Sequence, residues 1–154
     1  MHTGIDDNST IVISPTWAEA YFLKSFALQE LHRVSEAKAA LIAALALSPF
    51  NSHYFNELAD IFALEKNWVK SADLYARAED YANSAPDLNR TDELVRARRG
   101  LGHALVELGK FDEAERKYEE CLAANPNDQK ARAELDWLRE QKQKQTESRD
   151  RKKN

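Results

Sequence analysis

Arg96, Arg99 and His103 are the residues of this chain most able to do chemistry. Spaced three and four apart, they share one face of a helix. A guanidinium is planar, permanently charged and matched to carboxylate or phosphate, so the chemistry on offer is recognition of an anion. Phe22 and Phe26, four apart, offer an apolar face elsewhere. Bond-making chemistry has little to draw on. No Gly-rich phosphate loop, Cys-x-x-Cys pair or His-Glu-x-x-His helix occurs. The four histidines, His2, His32, His53 and His103, are scattered. His53, Asp60 and His103 could converge on a metal across neighbouring helices, but histidines so scattered do not make a ligand cluster. No enzyme activity, cofactor or metal is expected, and the charged and aromatic faces need helices to carry them.

Helices are easy to place. The 154 residues hold only four Gly and four Pro, and Ala, Leu, Glu and Lys dominate. Ser14-Pro15 starts a helix well, with an N-cap acceptor and a proline at the first helical position. From there the spacing predicts helices near 15–31, 34–47, 52–65, 68–83, 91–108, 111–124 and 127–144. Ser48-Pro49 and Asn125-Pro126 stop two of them, and Gly109 suits a left-handed helix end. Short connections imply antiparallel hairpins. Residues 1–14 read as a flexible segment containing a short extended piece at Ile11-Val12-Ile13. Residues 141–154 read as a basic, disordered tail.

One pattern recurs. Stepping 12, 4, 3 and 5 residues from Gly102 reaches Ala114, Tyr118, Cys121 and Pro126. The same steps from Ser25 reach Ala37, Leu41, Ala44 and Pro49, and from Ala59 they reach Ser71, Tyr75, Ala78 and Asn83. Small, small, large, small, terminator is a packing pattern: small residues let helices approach and large ones fill the gaps. On this pattern Cys121 is packing rather than a nucleophile. Ser25 and Ala59 are 34 residues apart, but Ala59 and Gly102 are 43 apart. The insertion falls near 83–92, as a longer helix or a longer loop. The 127–144 helix sets Ala131, Leu135 and Leu138 on one side and polar residues on the other, as a terminal cap should.

The pattern resembles the tetratricopeptide repeat. The third copy, from about Val95 to Asp128, carries it best, with Leu101-Gly102, Leu105, Gly109, Phe111, Ala114, Tyr118 and Pro126. Arg98 stands where the family has a large aromatic, and Cys121 where it usually has Ala. The resemblance covers about 15–140. It implies an all-α, right-handed α-α superhelix (solenoid) of three helix-turn-helix repeats with a capping helix. It also implies that the first helix of each hairpin lines a concave, peptide-binding face. Carried over by position, that face presents Glu19, Phe22, Phe26 and Gln29, then His53, Asn56, Asp60 and Ala63, then Arg96, Arg99, His103 and Val106, with Lys130 and Trp137 from the cap. The expectation is a groove with an aromatic and a cationic end, holding an extended or helical peptide with acidic groups near the arginines. The competing expectation is that Phe22 and Phe26 pack under the N-terminal segment and the arginines pair with Asp60 or Glu93. Some relatives clamp a chaperone's terminal carboxylate. The matching positions here are Phe22, Phe26, Glu57, Arg96 and Gly100, of which only Arg96 fits, so no such clamp is expected.

Charge bounds the partners. The net charge is −4, divided into −8 over residues 1–138 and +4 over 139–154. An acidic body argues against nucleic acid, which needs a basic face. No apolar run reaches the roughly 20 residues of a membrane span, so no direct membrane insertion is expected. One cysteine and no signal-like N-terminus suggest a cytoplasmic protein. The function expected is a non-catalytic scaffold or adaptor that binds a protein or peptide. The alternatives are a self-associating array, a homo-oligomer with Trp17, Phe50, Tyr54 and Tyr81 either at an exposed apolar edge or buried between repeats, or a chaperone for secreted clients.

Overall fold

The computed structural model describes residues 15–84 and 90–151, which form seven helices and no strand. They are α1 (Pro15–Glu30), α2 (Val34–Leu47), α3 (Ser52–Leu64), α4 (Trp68–Ser84), α5 (Arg90–Glu107), α6 (Phe111–Ala124) and α7 (Gln129–Arg151). Each helix packs on the next, and α3 also meets α5 across the stack. The result is an all-α solenoid of three hairpins, α1–α2, α3–α4 and α5–α6, closed by α7.

The three hairpin turns are copies of one another. His32, Lys66 and Gly109 all take positive φ, at 57°, 57° and 74°. The residue after each donates its N–H back across the turn: Arg33 to the Leu28 carbonyl at 2.8 Å, Asn67 to Phe62 at 2.9 Å, Lys110 to Leu105 at 2.8 Å. This closure satisfies carbonyls that a helix end leaves without partners. Only the third turn uses glycine. His32 and Lys66 hold the left-handed conformation at a cost of about 1 kcal/mol each. Helix starts are capped where the sequence supplies an acceptor: Asn51 takes the Tyr54 N–H at 3.1 Å and Asp128 takes that of Ala131 at 3.0 Å.

The core follows the repeat. Ala37, Ala44, Ala59, Ala78 and Ala114 are wholly buried, as are Leu41, Ile61, Tyr118 and Leu138. Each large apolar side chain so buried stabilises the fold by roughly 1.5–3 kcal/mol. Two glycines permit close approach. A Cβ on Gly102 would lie 2.7 Å from the Tyr118 ring, and one on Gly100 would lie 2.3 Å from the Tyr75 ring. Cys121 is buried beside the Val95 carbonyl, and burial, then nearby Asp128, pushes its thiol up to about 12. A thiol that stays protonated is inert packing. Arg98 keeps a charge at the aromatic position by pairing with Glu79 at 2.9 Å and donating to the Glu120 carbonyl at 3.0 Å.

Three expectations are modified. The extra residues of the second repeat lie partly in longer helices: α4 has 17 residues against 14 in α2 and α6, and α5 has 18 against 13 in α3. The loop expected around Pro86 lies outside the described residues, as do the N-terminal segment 1–14 and residues 152–154. Next, α7 runs on to Arg151, through most of the stretch read as a disordered tail. Lys142 ties it to Asp112 and Glu115 of α6 at 2.6 and 2.7 Å, and Gln143 bonds Glu147 one turn on. Finally, of the four aromatics considered for an exposed edge, Trp17 and Phe50 are exposed, whereas Tyr54 is buried and Tyr81 is half-buried between Phe50 and Phe55.

Candidate functional site

The inner face is built from α1, α3, α5 and α7, because the turns return every second helix to it. At its first end Phe22 is half-buried. Its ring stacks on Tyr54 at 5.4 Å between centroids and meets His53 edge-on at 4.8 Å. Phe26, one turn on, is 55 % exposed. The aromatic pair therefore divides: Phe22 joins the first repeat to the second, and Phe26 stays open to solvent. Asn56, expected on the groove surface, is fully buried. Its amide donates to the Glu93 carboxylate at 2.8 Å and to the Glu93 carbonyl at 3.1 Å.

Farther along, Asp60, Arg96, Arg99 and His103 do come together. They line a cleft of about 420 Å³ with Lys130 and Glu134 of α7. Two tyrosines from outer helices reach into it, Tyr75 through the gap above Gly100 and Tyr118 past Gly102. The arginines are not free. Arg96 bridges Glu57, at 2.7 Å, and Asp60, while Asp60 also accepts the Tyr75 hydroxyl. Burial works against the Arg96 charge, but Asp60 and Glu57 outweigh it and its pKa is raised. Arg99 pairs with buried Asp128 at 2.6 Å. Arg96 thus pairs with Asp60, one of the two carboxylates offered to it by the competing expectation. Glu93 instead accepts from His53, whose Nδ1 lies 2.8 Å away. That hydrogen bond is the main cause of a raised His53 pKa.

His103 is exposed, its ring edge against Trp68 at 5.6 Å. It also lines a second cleft of about 420 Å³ with Val106, Glu107, Glu134 and Trp137, the indole being 46 % exposed. The two clefts share His103, Ala133 and Glu134 and make one channel between α5 and α7. Reading by position missed Tyr75, Tyr118 and Glu134. Gly100 was the available signal for Tyr75, since a glycine on an inner helix admits a ring from behind it.

Among the described residues no three His, Cys, Asp or Glu are placed to hold a metal ion, and no helix is long and apolar enough to cross a membrane. Two models of the tetratricopeptide repeat match the sequence, at residues 27–86 and 95–128, together more than half of it. The chain belongs to the tetratricopeptide-repeat family. No curated protein sequence matches it significantly. Its fold is similar to solved tetratricopeptide-repeat (TPR) domains. The Arabidopsis OM64 TPR domain superposes with a TM-score of 0.72 at 18 % identity, covering 82 % of this chain and 98 % of that one. The N-terminal domain of the C. elegans stress-induced protein STI-1 gives 0.73 at 16 %, covering 81 % and 96 %. The first TPR of Spaghetti (RPAP3), solved bound to the HSP90 peptide SRMEEVD, gives 0.72 at 20 %, covering 83 % and 97 %. At these identities the likeness is one of fold. Arg96, the one cation at the positions that the resemblance assigned to a carboxylate clamp, pairs with Glu57 at 2.7 Å.

Proposed function

We propose that this chain is a non-catalytic interaction module, a scaffold or adaptor that holds a segment of another protein along its inner face. One observation carries the reading: the inner face keeps an open channel between α5 and α7 with Trp137 and His103 at its wall. Phe26 stands exposed at the other end of the same face. Exposed aromatics beside open clefts are typical contact residues, because they bury large area at little cost in side-chain entropy. One of the similar solved structures, the first TPR of Spaghetti (RPAP3), is bound to an HSP90 peptide, which supports a peptide as the kind of ligand. The reading favours recognition by shape and apolar contact over a standing cationic patch, since carboxylates already satisfy both groove arginines.

The test compares partners retained from source-cell lysate by the wild-type chain, by Phe26→Ala/Trp137→Ala, and by Arg116→Ala on the outer face. The expected result is a partner lost only from the groove variant, with helical circular dichroism unchanged. Equal retention by all three would move the function off the inner face.

A further inference from the structure

We propose that the α5–α7 channel selects a cationic side chain, a lysine or arginine of the bound segment. The proposal rests on the groove reading above and specifies its ligand. The cleft around Trp137 has two carboxylates, Glu107 and Glu134, and no lysine or arginine in its lining. Neither carboxylate has an ion-pair partner among the described residues. The exposed indole supplies a face on which an ammonium or guanidinium is attracted by the ring quadrupole, and Val106 supplies an apolar wall for an aliphatic stem.

A second observation points the same way. Tyr118 is fully buried, its ring lines the adjoining cleft beside Glu134, and its hydroxyl has no hydrogen-bond partner among the described residues. A buried hydroxyl without a partner carries a penalty of about 1–3 kcal/mol, which a donor arriving in the cleft would relieve. An ammonium or guanidinium carries several N–H groups, so one can donate to that oxygen while another donates to Glu134. The resident cations do not block this. Arg96 faces two carboxylates, Arg99 is closed by Asp128, and Lys130, one turn before Glu134, makes no ion pair with it. An acidic ligand would meet Lys130 as the single cation of the channel without a carboxylate partner, against Glu107 and Glu134.

The experiment pans a phage-displayed random peptide library on the full chain, then measures the enriched peptides against wild type, Glu134→Gln, Trp137→Ala and Phe26→Ala. Enriched peptides are expected to carry Lys or Arg. Their affinity should fall about tenfold in Glu134→Gln and in Trp137→Ala, and again when that Lys or Arg is replaced by Gln. Circular dichroism controls for the fold. Enrichment of acidic or uncharged peptides whose binding still depends on Phe26 or Trp137 overturns the cationic selection and leaves the groove reading standing. Peptides indifferent to all three variants, or no enrichment at all, overturn both.

Discussion

The solenoid has two joints between successive hairpins, and they are built differently. At the second, α4 packs along the length of α5 as closely as on its own partner, and α3 meets α5. At the first, α2 meets α3 over a much smaller surface. The second joint has Gly100, which brings the Tyr75 ring against α5, and a polar lattice of Asn56, His53 and Glu93 with Arg96, Glu57 and Asp60. The first has the Phe22–Tyr54 stack, the Phe22–His53 edge contact and a lysine, Lys38, that pairs with Glu65 and lies over Phe62. In a linear array each hairpin is stabilised only by its neighbours, so the weaker joint decides where the array opens first. The α1–α2 hairpin is expected to open ahead of the rest.

The largest effect should come from removing the ring that seats the second joint. Tyr75→Ala is expected to destabilise the chain by about 3–5 kcal/mol in urea unfolding, the range for large aromatic truncations in a core. Phe22→Ala, half-buried at the first joint, should cost roughly 1–2 kcal/mol. Its increase in hydrogen exchange should be confined to α1 and α2. If Phe22→Ala instead released exchange across α3–α6, the two joints would be one cooperative unit and the comparison would break.

Charge sharpens the contrast. Glu93→Ala strips the carboxylate acceptor from buried Asn56, which keeps only the backbone carbonyl, and from His53, and a cost of about 2–3 kcal/mol follows from leaving polar groups unsatisfied. Glu65→Ala removes an ion pair of more exposed groups at the first joint and should cost no more than about 1 kcal/mol. Thermal melts of the two variants under the same conditions make the comparison.

The second joint should also respond to pH. The hydrogen bond to Glu93 raises the His53 pKa above its ordinary 6.5, although burial opposes it and nearby Arg96 lowers it slightly. This contribution is complete below 6.5 and is lost as pH rises through the raised value. For Glu93 burial acts upward, but hydrogen bonds from His53 and Asn56 bring its pKa below the ordinary 4.5. That contribution is complete above 4.5 and is lost as pH falls through the lowered value. The joint is therefore tightest between the two, with Glu57 and Arg96 the other charges facing the imidazole. Melting temperature should decline as pH rises through the His53 titration, and His53→Gln should flatten that decline. An unchanged slope in His53→Gln would remove this pair from the pH response.

The fold was legible because its determinants are local and repeat. The step from Gly102 to Ala114 to Tyr118 encodes close approach, and each residue on it is buried. Helix bounds agree to within a few residues except where α7 continues past 144, where Thr146 bonds the Lys142 carbonyl and Gln143 bonds Glu147. The shared face of Arg96, Arg99 and His103 was legible for the same reason. What those arginines bond to was only partly legible. Arg96 reaches back 39 residues to Glu57 and Arg99 forward 29 to Asp128, and no helical spacing encodes a pair across repeats. Asn56 illustrates the converse: placed by position on the inner face, it is drawn inward by the acceptor that Glu93 supplies.

Two buried serines give the smallest and cleanest comparison of the first two hairpins. Ser25 in α1 and Ser71 in α4 are both fully buried at small positions of the repeat. Ser71 donates to the Ala59 carbonyl at 3.1 Å, whereas the Ser25 hydroxyl has no partner among the described residues. Ala adds helix propensity at both sites by about the same few tenths of a kcal/mol, so that benefit cancels in the difference. Ser71→Ala loses a hydrogen bond and should destabilise by roughly 1 kcal/mol. Ser25→Ala removes a desolvated hydroxyl with nothing to bond and should stabilise by about 1 kcal/mol. Opposite signs in matched urea titrations would show that the first hairpin keeps an unsatisfied group that the second has resolved. Equal signs would mean that Ser25 finds a partner in solution and that the first hairpin is as well satisfied as the second.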